Sequence, residues 1–200
     1  MKSGRRFSWP GILTASVFAT LLVSGCGEKA GDSDTPGGDL TGESQDLGGI
    51  RIVVPHDWVV ETPSSQMRKA QFRLPGKGPD DAQLVVFNFG PGQAGSVEAN
   101  LQRWYGQITQ PDGSPSGNAA QTSEKMVDGM EVTLMDVSGT YRESMGPMMQ
   151  GGAAKTEWRM AAAIVESPQG AFYFKLVGPE ATVARWKPEF KRFIDAVKKS

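Results

Sequence analysis

The sequence predicts an α+β fold, in which an antiparallel β-sheet is packed by one internal helix and by a C-terminal helical region. Two observations support this prediction. Short segments of β-branched or alternating apolar residues recur from Ile50 onward and are separated by turns rich in glycine and proline. Two other segments, around Trp104 and around Phe190, instead carry apolar residues at helical spacing.

The folded domain is expected to span residues 50–200 as a single unit, a size that can bury its own core. It begins with the β-branched run at residues 50–54, and a second strand is expected at residues 67–74. Apolar and polar side chains alternate in that second strand, as in an antiparallel strand with one buried face. A further strand is expected at residues 84–89.

An internal helix is predicted to follow Ser96. Serine is a good N-cap, and Glu98 lies in the first turn, where a negative charge is favourable. One apolar stripe at helical spacing would pack on the sheet; it consists of Val97, Leu101, Trp104, Tyr105 and Ile108.

Two hairpins are predicted after a loop at residues 109–120. The first joins residues 122–127 to residues 130–137 through Asp128-Gly129, a pair that suits a type I′ turn. The second joins residues 158–165 to residues 171–177. A long loop at residues 142–156 separates the two hairpins.

The C-terminal region contains an apolar stripe that stays in phase across Pro188; its members are Val183, Trp186, Phe190, Phe193 and Val197. A proline inside a helix removes a hydrogen bond and costs ~3 kcal/mol. We therefore predict a short helix and a longer one that meet at a bend near Lys187-Pro188 and pack on the same face of the sheet.

Residues 1–25 have the parts of an export signal peptide. Lys2, Arg5 and Arg6 form a basic start, and residues 11–23 form an uncharged, largely apolar stretch before Ser24-Gly25. This stretch is shorter than the ~20 apolar residues that a membrane-spanning helix needs. We therefore expect a cleaved signal.

The four residues Val23-Ser24-Gly25-Cys26 resemble the lipobox of bacterial lipoproteins, an aliphatic residue followed by two small residues and cysteine. The resemblance implies transfer of diacylglycerol to the Cys26 sulfur, cleavage before Cys26 and acylation of the freed amine. Two or three acyl chains, at ~0.8 kcal/mol per buried methylene, would hold the chain on the membrane. Gly27 in place of aspartate favours sorting to an outer membrane where two membranes are present. The alternative is an ordinary signal with an incidental cysteine.

Residues 26–49 are expected to be the lipidated cysteine and a disordered acidic tether. Acidic residues, glycine and proline dominate this segment, and it contains almost no apolar residue. It therefore cannot bury enough surface to fold. Its reach would be ~25–30 Å. After cleavage the chain has 18 basic and 22 acidic side chains, and no basic patch indicates a nucleic-acid partner.

The order of elements resembles the PsbP-like α/β/α sandwich, which is found in PsbP photosystem proteins and in DcrB-type bacterial lipoproteins. The resemblance rests on a β-branched strand that ends in Pro-x-x-Trp at residues 55–58, followed by antiparallel strands, an internal helix, paired hairpins and a closing helix. Residues 87–92 and 96–100 are also similar to uncharacterised envelope lipoproteins. Neither resemblance implies an active site.

Residues 90–95 match the pattern G-x-G-x-x-G between a predicted strand and a predicted helix. A dinucleotide site would also need a βαβ unit and an acidic residue at the end of the next strand, ~20 residues on. That position falls at Asp112-Gly113, inside a predicted loop. We therefore interpret the glycines as a connection into a capped helix, and no cofactor is predicted.

Three methionines of the long loop, Met145, Met148 and Met149, could present thioether sulfur to Cu(I). The alternative, which we favour, is that they rest on apolar surface or form an adaptable contact patch. The only histidine, His56, lies in a predicted turn with no nucleophile in a suitable pattern. No catalytic residue is predicted. Trp58, Trp104, Trp158 and Trp186 are expected to belong to the core.

The sequence therefore predicts a non-enzymatic binding or assembly module of the bacterial envelope, anchored through lipid on Cys26 and facing the periplasm or the cell surface. Residues 142–156 are its expected contact surface for an envelope protein. The alternative is a periplasmic Cu(I)-handling lipoprotein that uses Met145, Met148 and Met149 as ligands. An enzyme, by contrast, would show a deep pocket with convergent polar groups.

Overall fold

The computed structural model describes residues 42–143 and 152–200. Within these ranges the chain forms eleven strands and two α-helices: β1 Glu43–Asp46, β2 Ile50–Val54, β3 Val59–Glu61, β4 Arg68–Leu74, β5 Ala82–Asn88, α1 Val97–Tyr105, β6 Ile108–Thr109, β7 Gln121–Val127, β8 Met130–Tyr141, β9 Lys155–Ser167, β10 Gly170–Pro179, α2 Glu180–Asp195 and β11 Lys198–Lys199. No helix in this part of the chain is both long enough and apolar enough to cross a membrane.

The strands form two antiparallel sheets. The large sheet has the order β3-β4-β5-β10-β9-β8, and β8 then pairs with β7 along its first half and with β6 at its end. The small sheet has the order β1-β2-β11. These sheets and the two helices confirm the α+β class predicted from the sequence.

The two faces of the large sheet bury two separate groups of side chains. One face packs against α2 and β2, through residues such as Ile52, Trp186 and Phe193. The other face packs against α1, through Leu101 and Trp104. Because side chains alternate along a strand, β10 contributes to both groups; Phe172, Phe174 and Leu176 face α2, and Tyr173 and Val177 face α1.

Local signals in the sequence are confirmed at two places. The Ser96 hydroxyl accepts a hydrogen bond from the Ala99 amide (3.1 Å) and caps α1. Asp128 and Gly129 both have positive φ, 49° and 69°, as the predicted type I′ turn between β7 and β8 requires. The helix ends at Tyr105, however, so that Ile108 of the predicted stripe belongs to β6.

The ordered domain begins before Ile50. Strand β1 lies inside the segment that the sequence analysis assigns to a disordered tether, so residues 43–46 are a correction to that boundary. Pairing with β2 explains the difference, because backbone hydrogen bonds and the burial of Leu47 stabilise a segment that has few apolar residues of its own. The rest of the tether, up to residue 41, lies outside the described residues.

The predicted pair of C-terminal helices is wrong, because α2 is one helix that continues through Pro188. All five members of the predicted stripe are buried. The Trp186 indole N–H donates to the Pro75 carbonyl (2.8 Å) and the Thr182 hydroxyl donates to the Asp80 carbonyl (2.7 Å). These contacts hold the first half of α2, and the burial of Phe190 and Phe193 holds the second half on the same surface. Packing on both sides of Pro188 therefore keeps the helix continuous.

An ion triad also links α2 to the sheet. The Asp136 carboxylate of β8 accepts hydrogen bonds from Arg159 of β9, at 2.8 and 2.6 Å, and from Lys187 of α2. Burial alone would raise the pKa of Asp136, but these two partners hold it below its ordinary value. The carboxylate therefore stays charged and joins two strands to the helix.

We predict that Pro188→Ala stabilises the domain. Pro188 is exposed, and alanine would restore the amide donor that the Ala184 carbonyl lacks. The unfolded alanine variant has more conformational freedom than the unfolded parent, and this offsets part of the stabilisation. We expect the free energy of unfolding, measured with urea, to rise by about 1–2 kcal/mol. Lys191→Ala, an exposed position on the same helix, should change it by less than ~0.5 kcal/mol. A Pro188→Ala chain no more stable than the parent would contradict the prediction.

We predict that Asp136→Asn destabilises the domain by about 1–3 kcal/mol at pH 7, because Arg159 and Lys187 would remain partly buried without their counter-ion. The pKa of Asp136 is lower in the folded than in the unfolded chain, so this contribution is present above pH ~4 and is lost as the pH falls through the folded value. Urea titrations at pH 7 and pH 3 should show the difference between parent and variant shrinking at pH 3.

The control for this experiment is Asp195→Asn, which removes the partner of Lys125 in a more exposed ion pair. It should cost less than ~1 kcal/mol. If Asp136→Asn and Asp195→Asn lower the free energy of unfolding equally at pH 7, the ion triad stabilises the domain no more than the exposed ion pair does.

Candidate functional site

The face of the large sheet that packs on α1 contains a cavity of about 520 Å³. Helix α1 has nine residues, roughly 13 Å of length, whereas β8 and β9 have 12 and 13 residues and extend for roughly 40 Å. The helix therefore covers only part of this face. The space beside it, between α1 and the ends of β8 and β9, is named the α1-face cavity below.

Lys175 projects into the α1-face cavity from the middle of β10. It lies between Tyr173 and Val177 on the same face of the strand, while its neighbours Phe174 and Leu176 are buried on the opposite face. The period of two along a strand thus places a lysine on a largely apolar surface.

The Lys175 ammonium is bonded to neutral groups. Its Nζ donates to the Gln107 side-chain oxygen and to the Tyr141 hydroxyl (3.3 Å), and it lies 5.2 Å from the centre of the Tyr141 ring. Burial lowers the pKa of Lys175 to about 8; the negative charge of Glu143 opposes this shift and the positive charge of Arg68 adds to it. Burial also raises the pKa of Tyr141 to about 12, so this hydroxyl stays neutral.

Aromatic rings form two parts of the cavity wall. On one side Phe87 stacks on Phe89 (6.1 Å between ring centres), Phe89 contacts Tyr173 (5.9 Å), and Tyr173 meets Trp104 edge to face (6.4 Å). These rings come from β5, β10 and α1 and the loop between them.

On the other side Tyr141 and Trp158 stack with their planes 5° apart and their centres 5.5 Å apart. Lys155 Nζ lies 4.2 Å from the centre of the Trp158 ring, within the range of a cation–π contact. Trp158 is only partly buried, which corrects the prediction that all four tryptophans belong to the core. Trp58, Trp104 and Trp186 are buried as predicted.

Positive charges outnumber negative ones around the α1-face cavity. Its cationic lining residues are Arg68, Arg103, Lys155 and Lys175, and its carboxylates are Asp81 and Glu143. Asp81 already accepts a hydrogen bond from Arg73 (2.9 Å), and its pKa is lowered by a backbone hydrogen bond from Gly76 and by the Arg73 hydrogen bond.

The structure places the predicted candidates as follows. Cys26, Met145, Met148 and Met149 lie outside the described residues, so their lipidation and Cu(I) binding stay predictions. His56 lies in an exposed turn after β2, as predicted. Among the described residues no group of three or more histidine, cysteine or acidic side chains could hold a metal ion.

The G-x-G-x-x-G pattern is a loop into a capped helix, as predicted. All three of its glycines have positive φ, 81° at Gly90, 68° at Gly92 and 76° at Gly95, which explains why glycine occurs at this spacing. Strand β5 pairs antiparallel with both neighbours, so the βαβ unit of a dinucleotide site does not form here.

The predicted contact loop at residues 142–156 begins and ends at the α1-face cavity, since Glu143 and Lys155 both line it. Lys175, Gln107 and Tyr141 are not among the site residues predicted from the sequence. The available signal was a lone lysine in the otherwise uncharged run of β10. Nothing in the sequence linked that lysine to a glutamine 68 residues away.

No protein-family model matches this chain, and no curated protein is similar to it in sequence. Among solved structures, cyanobacterial PsbP from Synechocystis is 14% identical with a TM-score of 0.47, and the match covers 79% of this chain and 91% of that one. A protein from Bacteroides thetaiotaomicron is 12% identical with a TM-score of 0.42, over 80% of this chain and 49% of that one. A Pseudomonas aeruginosa protein of unknown function is 14% identical with a TM-score of 0.40, over 76% and 93%. At these values the similarities carry no functional argument.

Proposed function

We propose that this chain is a lipid-anchored binding module of the bacterial cell envelope, and that it holds a small organic ligand in the α1-face cavity. The anchor rests on the sequence of residues 1–26. The binding site rests on one observation: Lys175, a partly buried ammonium with neutral hydrogen-bond partners, lies inside a cavity walled by aromatic rings.

The size and composition of the cavity support binding. Small-molecule sites are concave, occupy about 300–1,000 Å³ and combine apolar walls with a few placed polar groups. The α1-face cavity has the volume, the aromatic walls and polar groups such as Lys175, Gln107 and Tyr141.

The same residues favour a binding role over a catalytic one. A covalent mechanism needs an activated nucleophile, and acid–base catalysis needs a group that exchanges a proton with the substrate. Among the described residues, Lys175 is hydrogen-bonded to an amide oxygen and a phenol that stays neutral, and to no carboxylate or histidine. This arrangement orients an ammonium without providing a group to take its proton.

The location of the domain follows from the proposed anchor. Acyl chains on Cys26 would keep the domain at a membrane, and the acidic segment up to β1 would let it reach ligands or partners in the periplasm or at the surface. An envelope protein that contacts residues 142–156 would lie beside the mouth of the cavity, because both described ends of that loop line it.

We predict that Cys26→Ser abolishes lipid attachment. Cells fed an alkyne-tagged palmitate should label the parent chain and not the variant, and the variant should leave the membrane fraction or remain uncleaved, because serine supplies no thiolate to take the lipid. Ser16→Ala, in the same signal but outside the lipobox, should behave as the parent. Labelling of Cys26→Ser by the tagged palmitate would contradict the proposed lipid anchor. In a separate measurement, sucrose-gradient fractionation of membranes should place the parent chain with outer-membrane markers.

We predict that the α1-face cavity is the main small-molecule site. The full chain, purified from membranes in detergent, should bind members of a fragment library in ligand-observed NMR, and Trp158→Ala should weaken most of these contacts at least about threefold by removing one aromatic wall. Lys191→Ala, on the opposite face of the sheet, should leave them unchanged. Fragments that bind parent and Trp158→Ala equally would contradict the site, provided that thermal unfolding shows both chains folded.

A further inference from the structure

We infer that the α1-face cavity takes an organic anion with a planar aromatic body, and that the anionic group of this ligand pairs with Lys175. The inference rests on the proposed binding function and names the chemical class of its ligand. Charge, desolvation and the placement of the aromatic rings support it independently.

Four positively charged side chains line the cavity. Within the described residues, Arg68 donates to the Gln71 side-chain oxygen (2.7 Å) and Arg103 donates to the Asn100 side-chain oxygen (2.9 Å), both neutral acceptors. Lys155 lies over a ring and Lys175 is bonded to an amide and a phenol. The cations around the cavity therefore have neutral partners in the described structure.

The carboxylates around the cavity do not supply the missing counter-charge. Asp81 is paired with Arg73. Glu143 is exposed and acts on Lys175 through its charge, without a hydrogen bond to it in the described structure. The cavity thus keeps an excess of positive charge that a bound anion would neutralise.

The Lys175 ammonium is partly buried and therefore partly desolvated. An ammonium that is withdrawn from water without a counter-ion is costly, and an anion bound at hydrogen-bonding distance recovers much of that cost. A neutral ligand would exclude more water and leave Lys175 unpaired. A cationic ligand would meet the repulsion of four positive side chains. The anion is the one class that improves the electrostatics of this site.

Aromatic rings form walls on two sides of the cavity. Phe87, Phe89 and Tyr173 on one side, and Tyr141 and Trp158 on the other, present rings toward the space around Lys175. Aromatic rings pack favourably against flat aromatic ligands by offset stacking or edge-to-face contact. An aromatic carboxylate or sulfonate would place its ring among these side chains and its charge at Lys175.

The test uses three compounds that share one ring system: 1-naphthaleneacetate, its neutral amide 1-naphthaleneacetamide, and the cation 2-(1-naphthyl)ethylamine. Their affinities for the full chain in detergent are measured by titration calorimetry at pH 7, with detergent alone as the blank. We expect the acetate to bind at least about tenfold more tightly than the amide, as a charge-assisted hydrogen bond predicts. The amine should bind most weakly.

Lys175→Met keeps an unbranched side chain of similar length and removes the charge. In this variant the acetate should lose its advantage and bind as the amide does. Lys191→Met, the same substitution on α2 at the opposite face of the sheet, should preserve the tenfold preference.

The pH dependence provides a second measurement. Because an anion favours the protonated form of Lys175, the affinity for the acetate should be highest below the pKa of about 8 and fall as the pH rises above it. The titratable and charged groups that face Lys175 are Glu143, Arg68 and Tyr141. Burial raises the pKa of Tyr141 to about 12, so this hydroxyl stays neutral between pH 7 and pH 9.5. The amide, and the acetate on Lys175→Met, should show no such fall.

Each outcome separates the ligand class from the site. If the acetate and the amide bind the parent equally well and Trp158→Ala weakens both, the cavity is a binding site and the anion inference is wrong. If neither compound binds more tightly to the parent than to Trp158→Ala, the α1-face cavity is not the binding site and the proposed function is wrong. Preferred binding of the amine would overturn the inference.

Discussion

The structure depends on the burial of both faces of one antiparallel sheet. Its central strands β9 and β10 are covered on one side by α2 and the small sheet and on the other by α1. The run Ala161–Val165 in β9 is buried at every position, which is possible only when neither face meets water. A polar side chain at the centre of such a sheet needs a hydrogen-bond partner or an opening to solvent. Lys175 has both, because it is hydrogen-bonded to Gln107 and Tyr141 and lines the α1-face cavity.

The two covering layers differ in size, and this difference forms the site. Helix α2 has 16 residues and buries its apolar stripe along the sheet, tied down at Trp186 and through the Asp136 triad. Helix α1 has nine residues and leaves the ends of β8 and β9 without a helix above them. The resulting space is lined by aromatic rings and by polar and charged side chains.

The proposed function combines evidence of two kinds. The N-terminal sequence predicts a membrane anchor, since residues 23–26 resemble a lipobox after an export signal. The fold supports the proposed binding role, because a partly buried ammonium lies in a cavity with aromatic walls. The loop that the sequence marks as a contact surface starts and ends at the same cavity, so a ligand and a protein partner at that loop would meet there.

Local chemistry explains what could be predicted from the sequence. The N-cap at Ser96, the Asp128-Gly129 turn, the strand at residues 50–54 and the apolar stripe of α2 depend on neighbours within a few residues, and all are confirmed. Even the G-x-G-x-x-G pattern has a local explanation in the positive φ of its glycines.

Long-range contacts decided the remainder. Strand β1 is ordered because it pairs with β2, and α2 continues through Pro188 because apolar side chains on both sides of the proline are buried against the sheet. The site joins Lys175 to side chains 34 and 68 residues away. By itself the sequence determined the fold class and most of the strands and helices, since these follow from local periodicity and composition. Only the tertiary structure decided that one lysine, one glutamine and a set of rings share a cavity, because the pairing order of the strands brings them together.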